Sequence, residues 1–531
     1  MAIKAAPRGA RAPSRIVSAQ WIIPVLILVL AFALRFYHLG DKGLWGDEIA
    51  QVRRSSIALA RILDEYREPP RFFLQFVLIH LTREIGTSDF WMRLPSAFAS
   101  VLGVASVYPL ARRMAGLTVA RVAMLFMALA PFQIWYAQDA RMYGALTLYA
   151  ILALYFFTRL LTQPSWQAAA GLILASALLA YNHLFGFLVL LTLVVIAAIL
   201  AAQDWFARRG KISASSNIPG LGAVILCMVL VGALVLPLLP GTLPFVWRSG
   251  LRDASVEWRE LSPFQLSPAF LSELFGYFGL SAGADWRMWL SLGIALSGLA
   301  ALFRRDARQG LLTLLWVTVP LVVLGLARPR HEVVPRYLIF IQPVYLLWLA
   351  QGAVAGYAFL MSRAALWTRE REKIQRGSRY VGAALCVVGL SVMIAPPLVS
   401  LYRRAKINDW RAVSAFISAN ARAGDFVTAE RGTWGLRALT YYWPQQEKNR
   451  VRDESLAQMQ QAFARGQTVW YLSLGGWFDA EGENWARAYL MPIAPSAWQR
   501  PDLDYTQRDE FIFPQSEGYV TIYRSAAPAE K

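Results

Sequence analysis

The sequence predicts a polytopic α-helical membrane protein with a small α/β domain at its C-terminal end. Three observations carry this. The 531 residues are 56% hydrophobic, with a mean hydropathy of +0.39, above the share usual for a soluble domain. Apolar segments, each approaching the roughly 20 residues that cross a bilayer core, alternate with short basic loops. After residue 402 the long apolar runs stop, and short alternating stretches take over.

The expected spans, in order, are Trp21–Tyr37, Leu94–Ala111, Val119–Tyr136, Gly144–Leu161, Gln167–Asn182, Phe185–Ala202, Pro219–Leu239, Trp286–Phe303, Gly310–Leu326, Tyr337–Leu360 and Val381–Leu401. They give about 11 transmembrane helices by the length rule. Arg71–Leu81 is apolar but short, and charge decides its placement. If it does not span, the basic loops (the N-terminus, Arg112/Arg113/Arg121, Arg159, Arg208/Arg209/Lys211, Arg304/Arg305/Arg308 and Arg363 through Arg379) fall on one side, as cytoplasmic loops should. It is therefore read as a helix lying along the interface, after a first helix near Ile57–Tyr66. Residues 1–20 form a cytoplasmic basic N-terminus. Lys4, Arg8, Arg11 and Arg15 precede a stretch long enough to span, and no small-residue cleavage motif follows.

Residues 21–402 are then the membrane domain, with a first outer loop at 40–93 and a long loop, Gly241–Asp285, that reads either as a lid with a helix near Pro268–Phe278 or as a solvated connection. Residues 403–531 form the outer α/β domain. Asp409 is placed as the N-cap of a helix through Ala421, Glu454–Ala464 as a second helix, and Asp425–Ala429, Thr468–Ser473 and Tyr519–Tyr523 as strands.

The net charge of +19 suggests nucleic acid until its distribution is read. Residues 403–531 hold 16 Lys and Arg against 15 Asp and Glu, so +18 of the excess lies between hydrophobic segments. There it orients the spans and meets anionic lipid, and nucleic acid is a poor partner. Cys227 and Cys386 both lie inside apolar runs, which argues against a disulfide framework or a Cys-ligated metal. His38, His80, His183 and His331 are dispersed, with no HxxH or HExxH spacing, so a zinc site is unsupported.

The polar motifs converge on the outer face. Asp47 and Glu48 stand at the mouth of the first span, where two carboxylates carry a desolvation cost unless they face water or a cation. Gln138–Tyr143, Tyr181-Asn182-His183 and Arg328–His331 share that side. A solvated interfacial loop accounts for the acids equally well. Snorkelling anchors account for Arg93, Arg141, Arg330 and Arg336, and an aromatic belt accounts for Trp21, Trp166, Trp286 and Trp348.

The order of these motifs is what discriminates. Leu44-Trp45-Gly46-Asp47-Glu48, then Glu68-Pro69-Pro70-Arg71-Phe72-Phe73, then Met92-Arg93-Leu94-Pro95-Ser96 resembles the protein O-mannosyltransferase-like glycosyltransferases of the GT-C type, which include the lipid A aminoarabinose transferases. Tyr136 through Tyr143, Tyr181 through Gly186, Pro335-Arg336-Tyr337 and Asp409-Trp410-Arg411 continue the match. One departure is Glu68, where the family commonly has His.

The resemblance implies transfer of a sugar from a polyprenyl-phosphate donor to an acceptor hydroxyl at the periplasmic face of a bacterial inner membrane. It implies Asp47 as general base, with Glu48 beside it in the catalytic pair, orienting or pairing a cation. Inversion by single displacement needs one such carboxylate, whereas a retaining hydrolase wants two. Arg141, Arg336, Arg93 and Arg330 are the candidates for the donor phosphate. Tyr143, His183, Tyr181, Asp139 and Tyr337 are the candidates for substrate contacts, with Asp139 alternatively a structural partner of Arg141. No cofactor or divalent metal is implied. The competing readings are a lipid-linked glycan transporter or flippase, against which no repeated halves are found, and a non-catalytic membrane scaffold.

Overall fold

The computed structural model describes residues 16–64, 72–209, 218–244, 263–280, 285–329, 333–367, 372–403, 409–430, 435–443, 456–473, 480–492 and 521–525. Every expected apolar segment forms a helix. These are α1 (Ile16–Phe36), α5 (Asp89–Ala115), α6 (Leu117–Leu129) with α7 (Pro131–Ala137), α8 (Tyr143–Thr162), α9 (Trp166–Asn182), α10 (Leu184–Arg208), α11 (Leu221–Val235), α13 (Trp286–Arg305), α14 (Ala307–Ala327), α15 (Gln342–Trp367) and α16 (Glu372–Arg403). The first outer loop adds α2 (Gly46–Ser55), α3 (Leu59–Asp64) and α4 (Leu74–Arg83), and the long loop adds α12 (Pro268–Phe278). Among the described residues seven helices are long and apolar enough to span, or eight if the bent pair α6–α7 is one span. The shorter apolar helices Gln20–Phe36 and Val388–Arg403 occupy two further expected places.

The short segment read as interfacial is α4, ten residues long, about 15 Å of helix and too short to cross. The helical part of the long loop stands at Pro268–Phe278. It is docked rather than loose, since Gln342 Nε2 donates to the carbonyls of Tyr277 and Phe278 and Tyr277 stacks on Phe132 at 5.3 Å. The remainder of that loop, 245–262 and 281–284, lies outside the described residues.

Two expectations are corrected. Val119–Tyr136 is not one straight span but two helices bent by 56°. Pro131 has no N–H to continue the ladder, and Ala130 is extended with ψ 115°. The break frees carbonyls at the end of α6, and a buried arginine of α1 satisfies them. Arg35 donates to Met127 O at 3.0 Å, to Ala128 O at 3.0 Å and to Ser100 Oγ at 2.7 Å. Trp348 is not in the aromatic belt; it is buried, in the close contact between α13 and α15. There Gly298 of α13 faces the Trp348 carbonyl and Gly352 of α15 faces Ile294 O, each so close that a Cβ would clash. Trp21, Trp166 and Trp286 are exposed, as a belt requires.

Helix direction sorts the two faces. α5, α8, α10 and α13 each start near one end of the bundle and finish in Arg112/Arg113, Arg159, Arg208 and Arg304/Arg305 at the other. Arg305 donates to Ala115 O and Arg113 to Thr162 Oγ1, tying that basic end together. The acidic loop of α2 sits at the opposite end.

The C-terminal domain contains α17 (Trp410–Asn420), α18 (Gly435–Tyr442), α19 (Leu456–Ala464), α20 (Ala480–Tyr489) and a sheet of order β1-β2-β4-β3, from β1 (Phe426–Ala429), β2 (Val469–Ser473), β3 (Met491–Pro492) and β4 (Thr521–Arg524). β1 and β2 are parallel, and β4 is antiparallel to both β2 and β3. Asp409 caps α17, its carboxylate accepting from Ala412 N–H at 3.1 Å. α18, α20 and β3 have no counterpart in the sequence reading. The domain does not stand apart. Trp410, Val413, Ile417, Leu439, Trp443 and Trp470 share one apolar core with Leu44, Ile49, Val52, Ile79 and Met92 of the membrane domain.

Candidate active site

The site is built where α2, the α7–α8 turn, the α9–α10 turn and the 3-10 helix Pro335–Ile341 before α15 meet. Asp47 and Glu48 both lie in the first turn of α2, where the helix dipole favours negative charge. Adjacent residues on a helix point about 100° apart, and the two carboxylates have opposite fates.

Glu48 is fully buried. Its two oxygens accept from Arg93 Nε at 2.7 Å and Arg93 Nη2 at 2.7 Å, a bidentate pair. They also accept from the backbone N–H of Trp45, the N-cap residue of α2, at 3.1 Å and of Ala140 at 2.8 Å. Arg93 spends its other N–H groups on Leu39 O, Lys42 O and Gly43 O, at 3.0, 2.7 and 2.9 Å. One expectation changes here: Arg93 has no donor left for a phosphate. Glu48 pairs a cation, as expected of it, and is closed to substrate. Together they lock the acidic loop.

Asp47 instead keeps a quarter of its side chain exposed and lies 3.6 Å from Arg141 Nη2. That distance is an ion pair without a close hydrogen bond. Arg141 is positioned from behind. Ser96 Oγ donates to its carbonyl at 2.6 Å, and Gln75 Nε2 donates in turn to Ser96. On either side Glu48 holds Ala140 N–H, and Asn182 Nδ2 donates to Met142 O at 3.1 Å. Gln138 Nε2 donates to Tyr37 O at 2.8 Å. Gly144 lets α8 approach α5, since a Cβ there would stand 2.6 Å from Ser96 O. Burial opposes the charge of Arg141, yet its anionic neighbours, Asp47 first, raise its guanidinium above the ordinary value. It stays a cation.

Arg336, buried in the 3-10 helix Pro335–Ile341 that leads into α15, lies over the Tyr337 ring at 5.4 Å and within the electrostatic reach of Asp47, Arg141 and Tyr143. Arg141 lies 6.0 Å from the Tyr143 ring. Tyr136, Tyr143, Tyr337 and His183 form one aromatic wall, with centroid spacings of 4.9 Å for Tyr136–Tyr143, 5.7 Å for Tyr143–His183 and 5.9 Å for His183–Tyr337. Phe72 adds to it, 6.4 Å from His183. His183 Nδ1 accepts from Phe185 N–H at 3.1 Å, so the proton of the neutral ring is on Nε2. Burial first, then Arg141 and Arg336, push His183 down to about 3. It is a neutral N–H donor in a cationic pocket.

Asp47, Arg141, Arg336, Tyr143, His183 and Tyr337 are thus brought together, as expected of one site. Asp139 is behind it, fully buried, with Oδ1 accepting from Trp45 Nε1 at 3.3 Å; this supports its structural alternative rather than a substrate contact. Tyr181 turns to α11, its hydroxyl donating to Leu234 O at 3.0 Å and its ring packing on Phe73, so its expected substrate contact is replaced by a helix-to-helix tie. Arg330, His331 and Glu68 through Arg71 lie outside the described residues. The supports that sequence reasoning passed over are Ser96, Gln75, Asn182 and Gln138. Each is a polar residue inside or beside an apolar run, and that is the signal that could have found them. Among the described residues no three His, Cys, Asp or Glu side chains gather where they could hold a metal ion.

Two guanidiniums, a partly exposed carboxylate and a neutral N–H donor thus stand together at one end of the bundle. Comparison with known proteins agrees with the fold around it. The family of dolichyl-phosphate-mannose-protein mannosyltransferases matches residues 68–235, and no curated protein matches the chain by sequence. Among solved structures, ArnT from Cupriavidus metallidurans in the apo state is similar with a TM-score of 0.54 at 15% identity, over 96% of this chain and 99% of that one. The same protein bound to undecaprenyl phosphate gives 0.53 at 15%, over 95% and 98%. The Archaeoglobus fulgidus oligosaccharyltransferase in the apo form gives 0.52 at 11%, over 92% and 75%. At such identities the likeness is one of fold. Over residues 68–235 the chain is similar to that mannosyltransferase family, and over nearly its whole length it shares the fold of the ArnT structures.

Proposed function

We propose that this protein is a membrane glycosyltransferase that moves a sugar from a polyprenyl-phosphate donor to an acceptor hydroxyl, with inversion, at the outer face of a bacterial inner membrane. The observation that carries the proposal is the Asp47–Arg141 pair at 3.6 Å, partly open, with Arg336 in the same field. A hydroxyl is a weak nucleophile, and Asp47 supplies the positioned base that takes its proton. The anomeric C–O bond to the phosphate breaks as the new C–O bond forms on the opposite face. One carboxylate suffices for that displacement.

The leaving phosphate gains charge as the bond breaks. Arg141 and Arg336 face that charge and stabilise it more in the transition state than before it. His183 Nε2–H and the hydroxyls of Tyr143 and Tyr337 are placed to donate to phosphate or sugar oxygens. In this reading the guanidiniums supply the positive charge, and no divalent metal is required. The ArnT structure with undecaprenyl phosphate supports a lipid phosphate as the donor's carrier, and the basic far ends of the helices support the orientation.

The test is a label-transfer assay in proteoliposomes with a panel of undecaprenyl-phosphate-linked sugars and membrane extract as acceptor source. Label moving from one donor into a new product is the expected result. Donor flipped across the bilayer but never consumed overturns the proposal in favour of a flippase.

A further inference from the structure

The C-terminal domain reaches the acidic loop through one hydroxyl. Tyr442, the last residue of α18, accepts from Leu44 N–H at 2.7 Å and donates to Asp89 Oδ2 at 2.8 Å. Leu44 is fully buried and lies three residues before Asp47. Its N–H precedes α2 and bonds to a side chain of the other domain, so the entry of the catalytic loop is set from outside the membrane bundle. Asp89 opens α5, and one turn later Arg93 of the same helix clamps Glu48. Tyr442 therefore closes a ring around residues 39–48, with Asp89 and Arg93 on one side and Leu44 and Glu48 on the other.

Neighbouring contacts of the same domain point to the same loop. Arg411 donates to Gly40 O at 3.2 Å and to Asp41 O, and lies 3.6 Å from Asp89. Gly43 faces Asp409, where a Cβ would stand 2.6 Å from Oδ1, so the domain presses on the loop at a residue without a side chain. Burial, then Asp89, push the Tyr442 hydroxyl up, so it remains a neutral donor and acceptor.

We infer that Tyr442 is a positioning residue for Asp47, and that the C-terminal domain holds the catalytic loop in its reactive geometry through the Leu44–Tyr442–Asp89 bridge. This rests on the proposed role of Asp47. A displacement of the order of 1 Å can cost about a hundredfold in rate, so a bridge at this point of the loop controls turnover without touching substrate.

The test is Tyr442→Phe, which keeps the ring in its apolar core and removes both hydrogen bonds. Turnover should fall about tenfold, with the KM for the donor within about twofold, and Tyr442→Phe should cause no further loss in an Asp47→Asn background. By hydrogen exchange, peptides covering residues 40–50 should exchange faster while those of α8–α10 stay as in the wild type. Asp89→Asn should give the same local pattern if Tyr442→Phe does not fold. Turnover within about twofold of the wild type, unchanged exchange at 40–50, or faster exchange throughout the bundle each overturns the inference. If the wild type transfers no sugar, the proposed function fails, and the exchange pattern still decides whether Tyr442 holds the loop.

Discussion

Asp47 and Glu48 are the same chemistry one residue apart, each facing an arginine, and the molecule uses them for opposite ends. The Glu48–Arg93 pair is sealed, bidentate and saturated by backbone groups. A pair of this kind adds little net stability over apolar packing, yet breaking it leaves a buried charge uncompensated. The Asp47–Arg141 pair is loose at 3.6 Å and partly open. A guanidinium held this way can exchange its carboxylate for a phosphate at low cost, because it is not yet committed to close hydrogen bonds. In the proposed mechanism reactivity lies in the pair left incomplete, and the complete pair next to it fixes the same turn of α2.

The largest effect expected from breaking that comparison is at the sealed pair. Glu48→Gln leaves the Arg93 cation buried without its paired carboxylate and should cost about 3–5 kcal/mol of stability. Thermal unfolding in detergent measures it, and activity should fall with the fold. At the open pair the expectation reverses. Arg141→Ala should leave the unfolding midpoint near that of the wild type and lower turnover about 10²–10³-fold, the usual loss of one group facing developing negative charge. Arg141→Lys should recover part of it, since a point charge without the planar fork remains.

His183 sharpens the comparison through pH. Its folded value near 3 lies below the ordinary histidine value of 6.5. Between the two, the unfolded chain binds a proton that the folded chain does not, so stability falls as pH drops from 6.5 towards 3. At pH 5 the contribution is about 2 kcal/mol against the fold. His183→Gln should flatten the acid limb of a stability–pH curve by that order, and above about pH 7.5 the two curves should run parallel. The smallest effect belongs to Tyr181, whose hydroxyl ties α9 to α11. Tyr181→Phe should cost about 1 kcal/mol and leave turnover unchanged, which a substrate contact would not allow.

Much of this was legible before the fold was known. Hydropathy length finds the helices because a bilayer admits few other structures, and the order of loop motifs brings Asp47, Arg141, His183 and Arg336 to one face. The missing parts have physical causes. Pro131 is visible in the sequence, but the hydropathy around it is continuous, so Val119–Tyr136 reads as one span. The bend depends on Arg35, from another helix, satisfying the freed carbonyls. Trp348 looks like a belt residue because position along a span does not show which face is buried. Glu48 and Asp47 are indistinguishable by composition, and only side-chain direction on α2 separates the buried clamp from the partly exposed carboxylate. Tyr442 lies in Tyr441-Tyr442-Trp443, which carries no motif. Its role arises from a contact 398 residues away.

The most direct test is the transfer rate of Asp47→Asn compared with the wild type at matched donor saturation, with the unfolding midpoint recorded for both. The account predicts a loss of about 10²–10⁴-fold, the range for a general base, at an unchanged midpoint. Transfer by Asp47→Asn at the wild-type rate would contradict it and move the base elsewhere in the pocket.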